Sequence, residues 1–177
     1  MKFDINNPAF LQAACAGVTS LLVARSTSED VIVFEFNIGI SEGDVLVVTR
    51  VMDGATTTYS EVVPSSGYFE ILADAGTDVF VRGNILSITD EKGEGHYDSL
   101  SYLDISKCRT LQKVSGMEDT RLTEIKTRAT QEEVATGISA AIDTAENKGT
   151  VYIKQGDPYN EQIRLAAQRN DWEVIEF

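Results

Sequence analysis

Three apolar phrases of one shape stand eleven residues apart: Leu100-Ser-Tyr-Leu103, Leu111-Gln-Lys-Val114 and Leu122-Thr-Glu-Ile125. Each reads apolar, two residues, apolar. An eleven-residue beat is half of a 22-residue unit, and periods of about 20–50 residues mark chains that stack strand-bearing or helical units. Stacked strands with a broad exposed face are therefore predicted here, rather than a catalytic pocket. Arg82-Gly-Asn-Ile85-Leu-Ser-Ile88 carries the phrase once before, cut off from the regular copies by the polar insertion 89–99.

Upstream the pattern is that of strands. Segments 31–38, 44–51, 56–63, 67–72 and 78–82 are rich in β-branched and aromatic residues, with Ser41-Glu-Gly-Asp, Asp53-Gly, Pro64-Ser-Ser-Gly and Asp74-Ala-Gly between them. Short strands at this spacing predict a small antiparallel sandwich, and Asp53-Gly54 is the clearest tight-hairpin signal. Residues 7–25 fit a helix capped by Asn7, with Pro8 in the first position and Phe10, Leu11, Ala14, Val18, Leu21 and Leu22 on one side. Gly17, Thr19 and Ser20 oppose it, so a pair of short strands or an arm that docks on a partner is the alternative.

Downstream of the regular copies, Thr130 and Glu133 have the spacing of a capping box. Val134, Ile138, Ala141, Ile142 and Ala145 then recur at helical intervals, and Gly149 is expected to stop the helix. A strand at 150–153, a second helix opened by Asp157-Pro158 with Ile163, Ala166 and Ala167 inward, and an alternating strand at 172–177 complete the chain. Strand, helix, strand, helix, strand implies parallel strands, here an extension of the repeat sheet that closes its open end. The predicted class is α+β. A small antiparallel β-sandwich, immunoglobulin- or PKD-like, occupies 27–84 behind an N-terminal segment 1–26. A short parallel repeat sheet with an α/β cap occupies 85–177.

Composition narrows the partners. With 15 basic and 28 acidic residues the net charge is −13, which argues against nucleic acid or an anionic membrane as the main partner. Residues 1–82 hold Lys2, Arg25, Arg50 and Arg82 against eleven acids, a balance of −7. Hydrophobic residues make up 42%, enough for a sizeable core. The two cysteines, Cys15 and Cys108, fall in different predicted units and read as reduced, partly buried thiols. Leu11-Gln-Ala-Ala-Cys15 faintly resembles a lipoprotein cleavage site, but Asp4 precedes it, only Lys2 is basic and Gln12 stands where an aliphatic residue is wanted. A chain that is not secreted through a signal peptide is expected, with no membrane span.

The phrase Leu103-Asp-Ile-Ser-Lys-Cys-Arg-Thr-Leu111 resembles the repeat of short leucine-rich-repeat proteins from gut Bacteroidota and their crAss-like phages. Those proteins often carry a small β-domain with an Asp-Gly hairpin ahead of the repeats, and Asp53-Gly54 is similar. Gly149-Thr-Val-Tyr152, Ala166-Ala167 and Trp172-Glu-Val174 resemble their tail. The likeness spans about residues 31–177, through degenerate motifs. Surface members of that family carry an export signal and many more repeats. The resemblance therefore implies a phage structural protein, such as a capsid-decoration or head-associated protein, located in the virion or the cytoplasm of the infected host.

No chemistry competes with that reading. His96 is the only histidine and lies in Gly93-Glu-Gly-His-Tyr-Asp98, where an exposed surface histidine is the ordinary expectation. Asp90, Glu91, Glu94 and Asp98 have the carboxylate density of a calcium loop without its ligand order. Neither phosphate-cradling glycine motif occurs. Trp172, Tyr152, Phe177 and Tyr159 are expected in the core of the cap. The expectation is a non-enzymatic protein with no catalytic, metal or cofactor site, whose partners are capsid or other virion proteins, or further copies of itself. The alternative is a cell-surface adhesin or glycan-binding module.

Overall fold

The structure, a computed structural model, describes residues 20–26, 34–40, 45–52, 54–62, 68–73, 78–89, 100–118 and 120–177. It is a mixed α/β fold with two helices and parallel as well as antiparallel strands. The described strands are β1 (Ser20–Ser26), β2 (Phe34–Ile40), β3 (Val45–Met52), β4 (Ala55–Val62), β5 (Tyr68–Ala73), β6 (Asp78–Gly83), β7 (Ile85–Thr89), β8 (Leu100–Asp104), β9 (Lys113–Ser115), β10 (Glu124–Thr127), β11 (Thr150–Ile153) and β12 (Glu173–Glu176). Helix α1 (Glu132–Thr144) lies between β10 and β11, and α2 (Asn160–Arg169) between β11 and β12.

Two sheets form. One has the order β12-β11-β10-β8-β1-β6-β3-β4, the other β5-β2-β7-β9. The eleven-residue beat alternates between them: Leu100 begins β8 in the first sheet, Leu111 leads into β9 in the second, and Leu122 leads into β10 back in the first. Two half-units make one turn. Tyr102 pairs with Glu124, Leu103 with Ile125 and Asp104 with Lys126, a parallel register of 22 residues. Hydrogen bonds from Thr123 N to Ser101 O (3.0 Å) and from Ile105 N to Lys126 O (2.8 Å) continue the ladder at both ends.

Later turns exchange the second-sheet strand for a helix. Thr150 pairs with Glu124 and Glu173 with Thr150, so β10, β11 and β12 stay parallel and adjacent. Helix α1 takes the place beside β9, its buried residues Val134, Ile138, Ala141 and Ile142 joining Leu103, Val114, Ile125 and Val151 in one core. Helix α2 adds Ile163, Ala166 and Ala167 to it, and Trp172 closes it at the β12 end. The short alanine side chains let α2 approach closely, while the branched residues of the strands fill the space between layers.

Several expectations are corrected. The strands foreseen between 31 and 84 form, within two or three residues of the expected bounds, yet among the described residues they make no antiparallel sandwich of their own. They divide between both sheets, and each sheet runs on into later strands, through β1–β8 in one and β2–β7–β9 in the other. Strand β1 is the reason: the described end of the segment foreseen as a helix at 7–25 is extended, pairing antiparallel with β6 on one edge and β8 on the other. Tertiary pairing at Leu21-Leu22-Val23 outweighs the local helical pattern; residues 7–19 lie outside the described residues. The tight hairpin between β3 and β4 is as expected, with Met52 opposite Ala55 and Gly54 at φ +76°, a left-handed value that glycine adopts without steric cost.

The capping box at Thr130 and Glu133 does not form. Gln131 is the N-cap of α1 and makes no side-chain cap bond. Gly149 does not stop α1 either, since the helix ends at Thr144 with Ala145 as its cap. Its role is proximity: a Cβ there would lie 2.3 Å from the Thr123 carbonyl oxygen, beside the bond from Thr150 N to that oxygen (2.9 Å).

Candidate interaction face

Alternation along the parallel strands divides their side chains between two surfaces. Leu103, Ile125, Thr127, Val151 and Ile153 point into the core and are buried. Their neighbours point the other way, and the register lines them up in rows: Tyr102–Glu124–Thr150–Glu173 and Asp104–Lys126–Tyr152–Ile175. Both helices pack on the core side, which leaves these rows as the outward face of the sheet. On it Tyr102, Glu124, Lys126, Tyr152 and Ile175 are half-exposed and Glu173 is exposed.

The last residue described, Phe177, extends the face. Its N–H donates to Ile153 O (3.1 Å), and its carbonyl accepts from Gln155 N (3.1 Å), continuing the β11–β12 ladder. Its ring, 39% exposed, has Lys126 Nζ 4.6 Å and Lys154 Nζ 5.6 Å from its centroid, within cation–π range for both. At the opposite side of the face the Arg25 guanidinium stands 5.3 Å from the Tyr102 centroid. The Tyr102 phenol is held above its ordinary pKa, first by burial, then by the carboxylates of Asp104 and Glu124, against an opposing effect of Arg25.

A set of polar contacts fixes the loops behind the face. The Asp157 carboxylate, 6% exposed, accepts from Arg128 Nη2 (3.0 Å), Arg128 Nε (3.3 Å) and Ala129 N (3.1 Å), tying the loop after β11 to the loop after β10. That bond pushes the Arg128 guanidinium pKa up. Tyr159 N donates to Ala129 O (3.1 Å) across the same gap. Asn160, buried at the start of α2, donates to Lys154 O (2.7 Å). One turn earlier, Asp104 Oδ1 accepts from Ser106 N (2.9 Å) and Ser106 Oγ (2.6 Å), shaping the turn that buries Ile105 and Cys108. Burial and the nearby Asp104 push the Cys108 thiol well above its ordinary pKa, so it is a neutral packing group.

The residues singled out in the sequence fall in three places. Trp172 is buried and Tyr159 packs against the core, as expected. Tyr152 and Phe177 are not core residues but lie on the outward face; the signal was the phase of Tyr152, two residues from Thr150 and flanked by the inward Val151 and Ile153. Cys15, His96 and the acidic positions 90–98 lie outside the described residues. Among the described residues no group of His, Cys, Asp or Glu is placed to hold a metal ion, and no helix is long and apolar enough to cross a membrane. Comparison with known proteins found no family model, curated protein or solved structure that matches the chain.

Proposed function

We propose that the chain is a non-enzymatic structural protein that works by contact with other proteins, and that the outward face of its parallel strands is the contact surface. One observation carries this reading. The four strands β8, β10, β11 and β12 leave two registered rows of half-exposed polar, aromatic and aliphatic side chains on the side away from both helices. Such a mixture of Tyr, Phe and Ile with lysine and carboxylates on a rigid sheet is suited to protein recognition.

The finer reading of the fold belongs to the same proposal. We take 85–177 as a short leucine-rich-repeat unit with an α/β cap, preceded by a sandwich-like β-domain. The 22-residue register supports the repeat. So does the burial of Leu100, Leu103, Ile105, Cys108 and Leu111, the positions that such a repeat turns inward. The resemblance then points to a virion component, a capsid-decoration or head-associated protein. A second reading, an adhesin or glycan-binding module, gains from Tyr102, Tyr152 and Phe177 on the outward face, since aromatic surfaces stack on sugars.

Three experiments decide. Co-sedimentation of the chain with assembled particles tests the virion assignment, which fails if the chain stays at the top of the gradient. A photo-crosslinking amino acid in place of Tyr152, compared with one in place of the exposed Gln168 of α2, tests the face. Specific adducts from Tyr152 alone are expected, and equal labelling from both positions overturns the assignment. Saturable binding to a purified polysaccharide, lost in Tyr152→Ala, would favour the glycan reading.

A further inference from the structure

Residues 121–177 contain seven basic side chains, and five of them are matched to a carboxylate. Arg121 pairs with Glu146 (3.7 Å), Arg128 with Asp157 (3.0 Å), Lys148 with Asp171 (2.7 Å) and Arg169 with Asp143 (2.8 Å), while Arg164 engages Glu161 and Glu176. The two left over are Lys126 and Lys154. Among the described residues neither forms an ion pair, and the partner they share is the Phe177 ring, 4.6 Å and 5.6 Å from their Nζ atoms. In a chain of net charge −13, two neighbouring unmatched ammonium groups are the exception to the local rule.

We infer that Lys126 and Lys154 form a carboxylate clamp over Phe177 that takes an acidic side chain from an extended segment of a partner protein. The inference rests on the reading of the outward face as a contact surface, and it names the chemistry of the occupant. Lys126 lies in β10 and Lys154 directly follows β11; two ammonium groups drawn to one ring repel each other, the ring's π electrons moderate this, and an anion placed between them removes it. Both belong to the outward surface, Lys126 in register between Asp104 and Tyr152, and Lys154 following the inward Ile153. Beside them Tyr152, Ile175 and the exposed part of Phe177 offer apolar ground to the residues flanking the carboxylate.

Charge also selects the kind of partner. A phosphate backbone laid along this face would meet Asp104, Glu124 and Glu173 on the same rows, so the surface accepts one or two isolated anions and repels a polyanion. A second copy of this chain would approach against mutual repulsion of two strongly acidic molecules. An acidic segment of a different protein, spacing its carboxylates between neutral residues, meets neither obstacle.

The test uses the full chain and a fluorescein-labelled dodecapeptide of leucine and serine with two glutamates separated by neutral residues, with the glutamine version as control, followed by anisotropy. Saturable binding is expected that weakens about tenfold or more in the glutamine peptide and in K126A/K154A, and that falls as salt is raised. K126R/K154R should retain it, and K113A, on β9 in the other sheet, should not change it. Matching circular dichroism and melting curves establish that K126A/K154A is folded. The inference is overturned if the glutamate peptide does not bind, if the glutamine peptide binds as well, if K126A/K154A binds normally, or if a short DNA oligonucleotide displaces the peptide at equal concentration. Should the peptide fail while Tyr152 crosslinks still exceed those from Gln168, the clamp alone falls. If neither gives a signal, the contact-surface reading falls with it.

Discussion

Gly137 of α1 rests on the backbone of Val114 in β9: a Cβ at Gly137 would stand 2.0 Å from the Val114 carbonyl oxygen and 2.8 Å from its Cβ. This contact is where the layer behind the parallel strands changes from strand to helix. The strand β9 forms the back of one turn, and α1, forming the back of the next, can lie against it only because residue 137 has no side chain. Gly137→Ala in an isolated helix would be stabilising by about 0.8–1 kcal/mol. Here the sign reverses, because the clash is with backbone that cannot rotate away. We predict a net loss of about 2–3 kcal/mol in urea unfolding, and a variant as stable as the parent would disprove the close approach.

Gly149 and Gly156 separate two reasons for glycine. A Cβ at Gly149 would lie 2.3 Å from Thr123 O, whereas Gly156 has φ +85° and nothing within 4 Å. Gly149→Ala should therefore separate β11 from β10 and cost about 1–3 kcal/mol. Gly156→Ala should cost only its backbone strain, about 1–2 kcal/mol, and Gly156→Asn less than that. If Asn rescues position 149 and not 156, the assignment is reversed.

How far the sequence reaches is visible in these positions. The apolar phrases at 100, 111 and 122 carry their own register, because inward side chains must recur once per half-turn, and Leu100, Leu111 and Leu122 are all buried. Tyr152 and Phe177 lie outside the core; aromatic character says nothing about which face of a strand a residue takes. Only the register with Lys126 and the ladder to Ile153 put them outward. Gly149 looked like a helix stop since its true neighbour, Thr123, is remote in sequence. The same holds for β1, whose short apolar run fits either period until its two partner strands are known.

Asp157 makes a further prediction about how turns are joined. Its carboxylate is nearly buried and bonds to Arg128 and to Ala129 N, 28 residues away. Asp157→Ala removes an acceptor from three donors and should cost about 2–4 kcal/mol. Arg128→Ala should cost about 1 kcal/mol, since this side chain is 42% exposed and Asp157 retains the Ala129 N–H. The order of the two losses, read from denaturant midpoints, is the check; an equal or inverted order means the main-chain bond is not the anchor.

Cys108 should be chemically silent in the folded chain. Burial and Asp104 raise its pKa, so at neutral to mildly alkaline pH the thiolate that reacts with alkylating agents is absent. In a Cys15→Ser background, iodoacetamide should label Cys108 at less than about one hundredth of the rate seen in denaturant. Fast labelling of the native protein would mean that the turn at 105–111 opens readily.

Tyr102 links the outward face to pH. Its folded pKa is raised, mainly by burial and then by Asp104 and Glu124, while Arg25 opposes the shift. A raised pKa means that the folded state holds the phenol proton more tightly than the unfolded chain. The associated stability is thus fully present below the unfolded value near pH 10 and is lost as pH rises through the folded pKa. Tyr102→Phe cannot ionise, so its stability should decline less steeply than the parent's on the alkaline side, with the two curves parallel below about pH 9. Absorbance near 295 nm should show a late tyrosinate step in the native parent that is missing in the variant. Curves that stay parallel through the alkaline range would show that the phenol titrates as an unshifted surface group, and that Glu124 and Asp104 do not press on it across the sheet.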